Sequence, residues 1–164
     1  MSRSISIELE VNRRPIRLEV APNETLAQLL RERLSLRGTK VSCDAQVCGT
    51  CTVLVDGRAV SSCTFLAADT DGARVTSVEG LAEPETGRLA RVQRAFVERA
   101  AFQCGYCTAG FLTSATALLA EIPNPTRTQV IEYLEGNICR CTGYDAIVAA
   151  VLDAADDRSS GTTP

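Results

Sequence analysis

Eight cysteines carry the clearest chemical signal in this chain of 164 residues, which contains no histidine. Thiolates are the protein ligands of iron–sulfur clusters and of many structural zinc sites. Two groups of four cysteines therefore predict two four-ligand metal sites. The absence of histidine excludes His-ligated zinc, His-ligated haem and any catalytic triad that needs an imidazole. The first group is Cys43, Cys48, Cys51 and Cys63, and the second is Cys104, Cys107, Cys139 and Cys141.

Composition excludes several other classes of protein. The apolar content of 45 % and the mean hydropathy of +0.04 are typical of packed cores. A net charge of −3, a pI near 5.1 and the lack of tryptophan predict no nucleic-acid partner. No apolar run approaches the roughly 20 residues of a membrane-spanning helix. The N-terminus lacks the apolar core of a signal peptide, so we expect a cytoplasmic protein with reduced thiols.

The spacing of the first group favours an iron–sulfur cluster over zinc. Cys43-x4-Cys48-x2-Cys51, followed by Cys63, is the spacing of plant-type [2Fe–2S] ferredoxins. Zinc sites with four thiolates usually take their ligands as two separate pairs, whereas here the two gaps share Cys48. Backbone N–H groups of such a loop can donate to the sulfurs. Gly49 permits the tight bend between two ligands.

The spacing of the second group is less specific. Cys104-x2-Cys107 could belong to a zinc site, although the single residue between Cys139 and Cys141 is unusual for zinc ligands. On spacing alone, an iron–sulfur cluster, a zinc site and plain buried thiols stay open.

The first 80 residues predict a mixed α+β unit. Alternating apolar and polar residues predict strands within 4–20, 52–60 and 73–78. The first two segments are β-hairpins, and the second hairpin turns at Asp56-Gly57. Between the hairpins, a capping box of Thr25 and Gln28 predicts a short helix, which Gly38 ends.

Beyond Gly80 the apolar period changes from 2 to 3.6, which predicts four short helices and a helical bundle. The signals are a stripe of Leu89, Val92 and Phe96, the segment 108–121, a helix between the capping box of Thr126 and Gly136, and the segment 144–155. The core is predicted to include Phe96, Phe102 and Phe111.

These elements predict two domains that meet near residues 79–84. The first, over 1–80, is ferredoxin-like, and the second, over 81–157, is helical. The polar tail over 158–164 is predicted to be disordered.

Three segments resemble the iron–sulfur subunit of the xanthine oxidase family of molybdenum hydroxylases. They are Cys43-Asp-Ala-Gln-Val-Cys-Gly-Thr-Cys-Thr-Val53, Gln103-Cys-Gly-Tyr-Cys-Thr-Ala-Gly110 and Gly136-Asn-Ile-Cys-Arg-Cys-Thr-Gly-Tyr144. The resemblance extends from Ile5 to about Ala155. It implies a β-grasp ferredoxin domain followed by a four-helix bundle. It also implies one [2Fe–2S] cluster in each domain, ligated by the first and the second group of cysteines respectively.

The resemblance implies partners as well. The family relays electrons between a molybdopterin centre on a large subunit and FAD on a medium subunit. In the family, the residues matching Gln103 and Cys141 lie beside the pterin. Without the resemblance, Gln103 would be interpreted as a helix cap or a solvent-facing residue. The chain has no GxGxxG loop for a nucleotide, and no catalytic residue is predicted, so we expect no turnover by the chain alone.

Two other functions remain as alternatives: a freestanding two-cluster ferredoxin and a zinc-stabilised interaction module. The substrate cannot be inferred from this chain, because in the family the contacts with the substrate belong to the large subunit.

Two positions depart from the family pattern. Asp44 and Gln46 stand where glycine is frequent, which can strain the loop, and Ala109 stands where proline would preset a helical turn.

Overall fold

The computed structural model describes residues 4–156, with a five-stranded mixed sheet in the first half and four helices in the second. The strands are β1 (Ile5–Val11), β2 (Arg14–Val20), β3 (Thr52–Val55), β4 (Arg58–Ser61) and β5 (Arg74–Thr76). The helices are α1 (Leu26–Gln28), α2 (Arg91–Glu98), α3 (Thr108–Glu121), α4 (Arg127–Leu134) and α5 (Asp145–Asp156). This mixture agrees with the predicted α+β class. The tail predicted over 158–164 lies outside the described residues.

The sheet has the strand order β2-β1-β5-β3-β4. Strand β1 is antiparallel to β2 and parallel to β5, and β3 is antiparallel to both β5 and β4. Both predicted hairpins are confirmed. Asp56 and Gly57 turn the second hairpin with φ values of +48° and +83°, the signs that a type I′ turn requires. This tight turn joins the end of β3 to the start of β4.

Helix α1 begins at the predicted capping box, in which Thr25 Oγ1 accepts a hydrogen bond from the Gln28 N–H at 3.2 Å. The helical backbone continues as one π-helical turn over Leu29–Arg33. The prediction that Gly38 ends this helix is wrong. Ser35 already has a left-handed φ of +57°, and a residue in that conformation leaves the right-handed helix before the glycine is reached.

Each half of the chain has its own hydrophobic core. The sheet covers a core that includes Ile7, Leu26, Leu29, Val53 and Val75. The four helices of the second half surround a core that includes Phe96, Phe111, Leu118, Val130 and Ile147. Burial of these large side chains is the main favourable term in the stability of each half.

The apolar stripe predicted for α2 is confirmed only in part. Val92 and Phe96 are buried, but Leu89 precedes the helix and is 43 % exposed. Phe102, predicted as a core residue, is 41 % exposed. The reason is local: Ala101, the residue before it, turns inward after the end of α2 and is buried instead.

The other three helices of the second half lie where the sequence predicts them. α3 matches the predicted segment 108–121, and α4 begins at the capping box of Thr126, whose Oγ1 accepts from the Gln129 N–H at 3.3 Å. α4 ends two residues before Gly136. Within the part of the chain that the structure describes, no helix has the length and apolar composition to cross a membrane.

Helix α3 joins the two halves by packing against β3 and the loop before it. Gly110 lies so close to that loop that an added Cβ would be 2.2 Å from the carbonyl oxygen of Gly49. Three residues further along α3, the buried Thr113 Oγ1 donates to the carbonyl oxygen of Thr52 at 2.8 Å. The contact therefore depends on the absence of a side chain at Gly110 and on the buried hydrogen bond of Thr113.

We expect Gly110→Ala to lower the free energy of unfolding. Alanine favours a helix interior by about 1 kcal/mol over glycine, but the new methyl group would overlap the backbone of Gly49. Overpacking typically costs roughly 1–3 kcal/mol, and backbone cannot move aside as a flexible side chain can. Chemical denaturation of the cluster-loaded protein measures the effect.

Gly136→Ala is the matched control, because a Cβ at that exposed glycine meets nothing within 4 Å. It should leave the denaturation midpoint nearly unchanged. Equal midpoints for Gly110→Ala and the unmodified protein would contradict the close packing of α3.

Candidate iron–sulfur sites

The first group of cysteines comes together because the β3–β4 hairpin returns to the loop that precedes it. Cys43, Cys48 and Cys51 lie in that loop, and Cys63 follows β4 by two residues. Ser62 holds the return in place, since its hydroxyl and its N–H donate to the carbonyl oxygen of Cys51 at 2.6 and 3.4 Å. Cys51 and Cys63 are buried, whereas Cys43 is exposed. The site therefore has an inner edge at Cys51 and Cys63 and an outer edge at Cys43.

Two thiols of this group have opposite pKa shifts. Hydrogen bonds from the N–H groups of Val47 and Ala45, each 3.4 Å from the sulfur, lower the pKa of Cys43 to about 6. Burial raises the pKa of Cys63 to about 11, and the neighbouring Cys51 adds to that increase. Because metal ligands must be thiolates, binding at neutral pH has to release the proton of Cys63.

The loop from Cys43 to Cys51 contains two residues in a conformation that favours glycine. Asp44 and Gln46 have φ values of +52° and +57°, and they stand at the positions where the family pattern has glycine. The strain anticipated from the sequence is therefore present. Gln46 has compensating contacts: its side-chain oxygen accepts from the Thr64 hydroxyl at 3.0 Å, and its backbone hydrogen-bonds to Cys63.

The second group of cysteines comes from two segments that flank the helices. Cys104 and Cys107 precede α3, and Cys139 and Cys141 lie between α4 and α5. The sulfurs of Cys104 and Cys141 are 3.6 Å apart. Two thiolates on one tetrahedral metal ion, with bonds near 2.3 Å, lie about 3.8 Å apart. This spacing suits two ligands of one metal ion.

The thiols of the second group also differ in their pKa values. Burial raises the pKa of Cys107 to about 12, and Cys139 adds to that increase. The pKa of Cys139 is lowered: burial acts in the opposite direction, but hydrogen bonds from the Thr142 hydroxyl and from the backbone of Cys141 and Thr142 outweigh it. A shared hydrogen bond with Cys104 raises the pKa of Cys141.

Tyr144 is a functional candidate that the sequence analysis missed. Its φ of +71° is rare for a bulky residue. Its hydroxyl accepts a hydrogen bond from the N–H of Cys139 at 3.0 Å, and its ring packs edge-on against Phe111. Its own N–H donates to the hydroxyl of Thr142 at 3.3 Å. Tyr144 thus holds the segment around Cys139 in place through hydrogen bonds at both ends. The only sequence feature that could have indicated this role is a bulky residue directly after Gly143.

In both sites the thiols are grouped as two pairs. The pairs are Cys43 with Cys48, Cys51 with Cys63, Cys104 with Cys141, and Cys107 with Cys139. Among residues 4–156, no three His, Cys, Asp or Glu side chains are placed to hold a single metal ion together. A [2Fe–2S] cluster takes two protein ligands on each of its two irons. Paired thiols with backbone donors beside them therefore fit this cluster.

Gln103 and Cys141, the residues that the resemblance places beside a pterin, are both exposed. The helix-cap interpretation of Gln103 is wrong, because the N-cap of α3 is Cys107, four residues later. The solvent-facing interpretation and the pterin contact both agree with its exposure.

Comparison with known proteins supports the same two-part organisation. A model described as "2Fe-2S iron-sulfur cluster binding domain" matches residues 9–82, and one described as "[2Fe-2S] binding domain" matches residues 77–152. The nicotine 6-hydroxylase small subunit of Paenarthrobacter nicotinovorans is 52 % identical, over 93 % of this chain and 91 % of the relative. The xanthine dehydrogenase iron-sulfur-binding subunit of Escherichia coli O157:H7 is 44 % identical, over 93 % and 95 %.

A solved structure has the same fold. One chain of quinoline 2-oxidoreductase from Pseudomonas putida 86 superposes with a TM-score of 0.90 at 41 % identity, covering 99 % of this chain and 100 % of that chain.

Two adjoining domains that each gather four thiols in pairs define a two-cluster electron-transfer protein. With the relatives above, the chain belongs to the iron–sulfur subunits of the xanthine oxidase family of molybdenum hydroxylases. Its two domains are [2Fe–2S] binding domains. This membership excludes the zinc alternatives that the cysteine spacing left open.

Tyr144→Phe should disturb the second site and leave the first unchanged. Removing the hydroxyl leaves the N–H of Cys139 without its acceptor, which costs about 1 kcal/mol of stability. Hydrogen bonding around the sulfurs also tunes cluster potentials, so the midpoint potential of the second cluster should shift. Denaturation and EPR-monitored redox titration measure the two effects.

Tyr133→Phe is the control, because its hydroxyl bonds to Glu121 at the end of α3 that is opposite to Cys107. It should alter neither potential. If Tyr144→Phe and Tyr133→Phe left both potentials equally unchanged, Tyr144 would have no influence on the second site.

Proposed function

We propose that this chain passes electrons one at a time between a molybdopterin centre on a large partner subunit and FAD on a medium partner subunit. The observation that carries the proposal is the pairing of thiols in two sites on adjoining domains. A [2Fe–2S] cluster supplies one-electron redox chemistry when it is bound. The chain's own part is to hold two such groups in fixed positions and to present them to its partners.

The ligands of the proposed clusters are the two groups of cysteines. We assign Cys43, Cys48, Cys51 and Cys63 to the first cluster, and Cys104, Cys107, Cys139 and Cys141 to the second. The N–H groups of Ala45 and Val47 support the first assignment, because donors at a sulfur stabilise the negative charge that reduction adds. The 3.6 Å contact of Cys104 and Cys141 supports the second assignment.

The exposed edge of the second site, at Cys104 and Cys141, is the proposed contact with the large subunit. Phe102, Tyr106 and Ile138 are each at least 41 % exposed, and they flank the exposed Cys104 and Cys141 in the sequence. Apolar side chains left in water near one another mark protein interaction surfaces. A partner here would cover Phe102, which is exposed in this chain.

We assign a β-grasp domain to 1–80 and a four-helix bundle to 81–157, with a cytoplasmic location for the assembled complex. The common core of α2, α3, α4 and α5 supports the bundle.

The purified protein should contain about four irons and four acid-labile sulfides per chain, since two clusters of two irons are proposed. Cys48→Ser should abolish or change one EPR signal and Cys107→Ser the other, because the two cysteines lie in different domains. Iron and sulfide analysis with low-temperature EPR measures both effects. Stoichiometric zinc, or the same signal lost in both variants with the fold intact, would contradict the ligand assignment.

Gln103→Ala tests whether this chain lies against a partner's molybdenum cofactor. If the Gln103 amide reaches the pterin, its loss should slow reduction of the assembled complex by substrate, or lower the molybdenum content. Cluster content and EPR signals should not change, because Gln103 lies outside both groups of thiols.

Stopped-flow reduction, compared with the metal content of the same sample, is the measurement. Unchanged reduction rates and unchanged molybdenum would contradict the pterin contact. A freestanding ferredoxin would also purify without larger subunits, which the same preparation would reveal.

A further inference from the structure

The two candidate sites contact each other directly through their ligand-bearing loops. We define the first ligand loop as residues 43–51 and the second ligand loop as residues 136–142. The side-chain nitrogen of Asn137 donates to the carbonyl oxygen of Gly49 at 3.1 Å, in a fully buried setting. Asn137 is 6 % exposed. It lies two residues before Cys139, and Gly49 lies directly after Cys48.

A second hydrogen bond runs beside the first. The N–H of Ile138 donates to the carbonyl oxygen of Cys48 at 2.9 Å. Two consecutive residues of the second ligand loop therefore bind two consecutive carbonyl groups of the first. One hydrogen bond would leave the loops free to rotate about it, whereas two adjacent bonds fix both their distance and their relative rotation.

The backbone of Gly49 is shaped for this contact. Its φ is +65°, and an added Cβ would lie 2.4 Å from the carbonyl oxygen of Gly136 and 2.5 Å from the Asn137 side-chain nitrogen. The second ligand loop therefore fills the space that any side chain at position 49 would need.

We propose that Asn137 is a positioning residue that holds the two ligand loops together and thereby sets the separation between the two clusters. The proposal rests on the ligand assignment above, since both loops carry the assigned cysteines. Its physical basis is that the buried Asn137 amide would lose a hydrogen-bond acceptor if the loops separated, which is unfavourable. The Gly49 carbonyl also accepts from the hydroxyl and the N–H of Thr52, so Asn137 supplies the part of its hydrogen bonding that comes from the second half. Electron exchange between two centres weakens steeply with distance, so a residue that fixes the distance also fixes the rate of exchange.

Asn137→Ala tests this role in the full chain within its purified complex. With both clusters reduced, their unpaired spins interact through space, and the resulting splitting of the EPR lines falls with the cube of the distance between them. We expect a smaller splitting for Asn137→Ala, because the variant loses one of the two hydrogen bonds that join the loops, and the loops relax apart. We also expect a shifted midpoint potential for the first cluster. The content of iron and labile sulfide should equal that of the unmodified protein.

Thr70→Val is the matched control. It removes one buried hydrogen bond, from the Thr70 hydroxyl to the carbonyl oxygen of Ala67 at 2.7 Å, which lies within the first half and outside both ligand loops. It should lower the denaturation midpoint and leave the splitting unchanged. Asn137→Ser, which retains a shorter polar side chain, should give a splitting between those of the alanine variant and the unmodified protein.

The results separate the two proposals. An unmodified protein without two distinct EPR signals would overturn the proposed function. With two signals present, an Asn137→Ala variant that retains the full splitting and both potentials, and is only less stable, would overturn the positioning role. Failure of both Asn137 variants to bind two clusters would also overturn it, because a residue that only positions the loops is not required for loading them.

Discussion

The close approach of α3 to the first ligand loop is the contact on which both sites depend. Cys107 is the N-cap of the helix, and three residues later Gly110 touches the backbone of Gly49. One turn of an α-helix advances about 5.4 Å, so a ligand of one site lies within a single turn of the loop that carries the other. The two halves have separate cores. A movement of either half would nevertheless displace the backbone that positions a candidate ligand in the other half.

In each site, some of the thiols are buried and others are exposed at the surface. Cys51 and Cys63 lie inside the first site, and Cys139 lies inside the second, whereas Cys43, Cys104 and Cys141 reach the surface. The sites meet through two hydrogen bonds between the ligand loops, one donated by the Asn137 side chain and one by the Ile138 backbone. The outer edges stay accessible to other proteins. Burial favours the neutral thiol, which raises the pKa of Cys63 and Cys107. Hydrogen bonds to the sulfur act the other way and lower the pKa of Cys43 and Cys139.

The local elements could be predicted well from the sequence because their signals are short-range. The Asp56-Gly57 turn and the capping boxes at Thr25 and Thr126 each act over four residues, and each is present. Gly38 misled the prediction of the α1 end, because Ser35 takes the left-handed conformation that glycine was expected to supply.

The grouping of the cysteines was also predictable, since spacing within each loop reflects ligand geometry. The contacts made by Asn137 and Tyr144 were not. Asn137 bonds to a residue 88 positions away, and no periodicity in a single sequence records such a distance. Gly49 did give a signal, but the sequence analysis attributed it to the bend around a cluster. The structure adds that the space beside Gly49 is filled by the second half of the chain.

The left-handed backbone at Asp44 and Gln46 has a consequence for how the chain matures. Non-glycine residues in that region cost roughly 1 kcal/mol or more each, and the loop that bears this cost carries three of the proposed iron ligands. Metal insertion would then supply part of the energy that keeps the loop in shape. A newly made chain would reach its final form in two stages, with polypeptide folding first and cofactor insertion second.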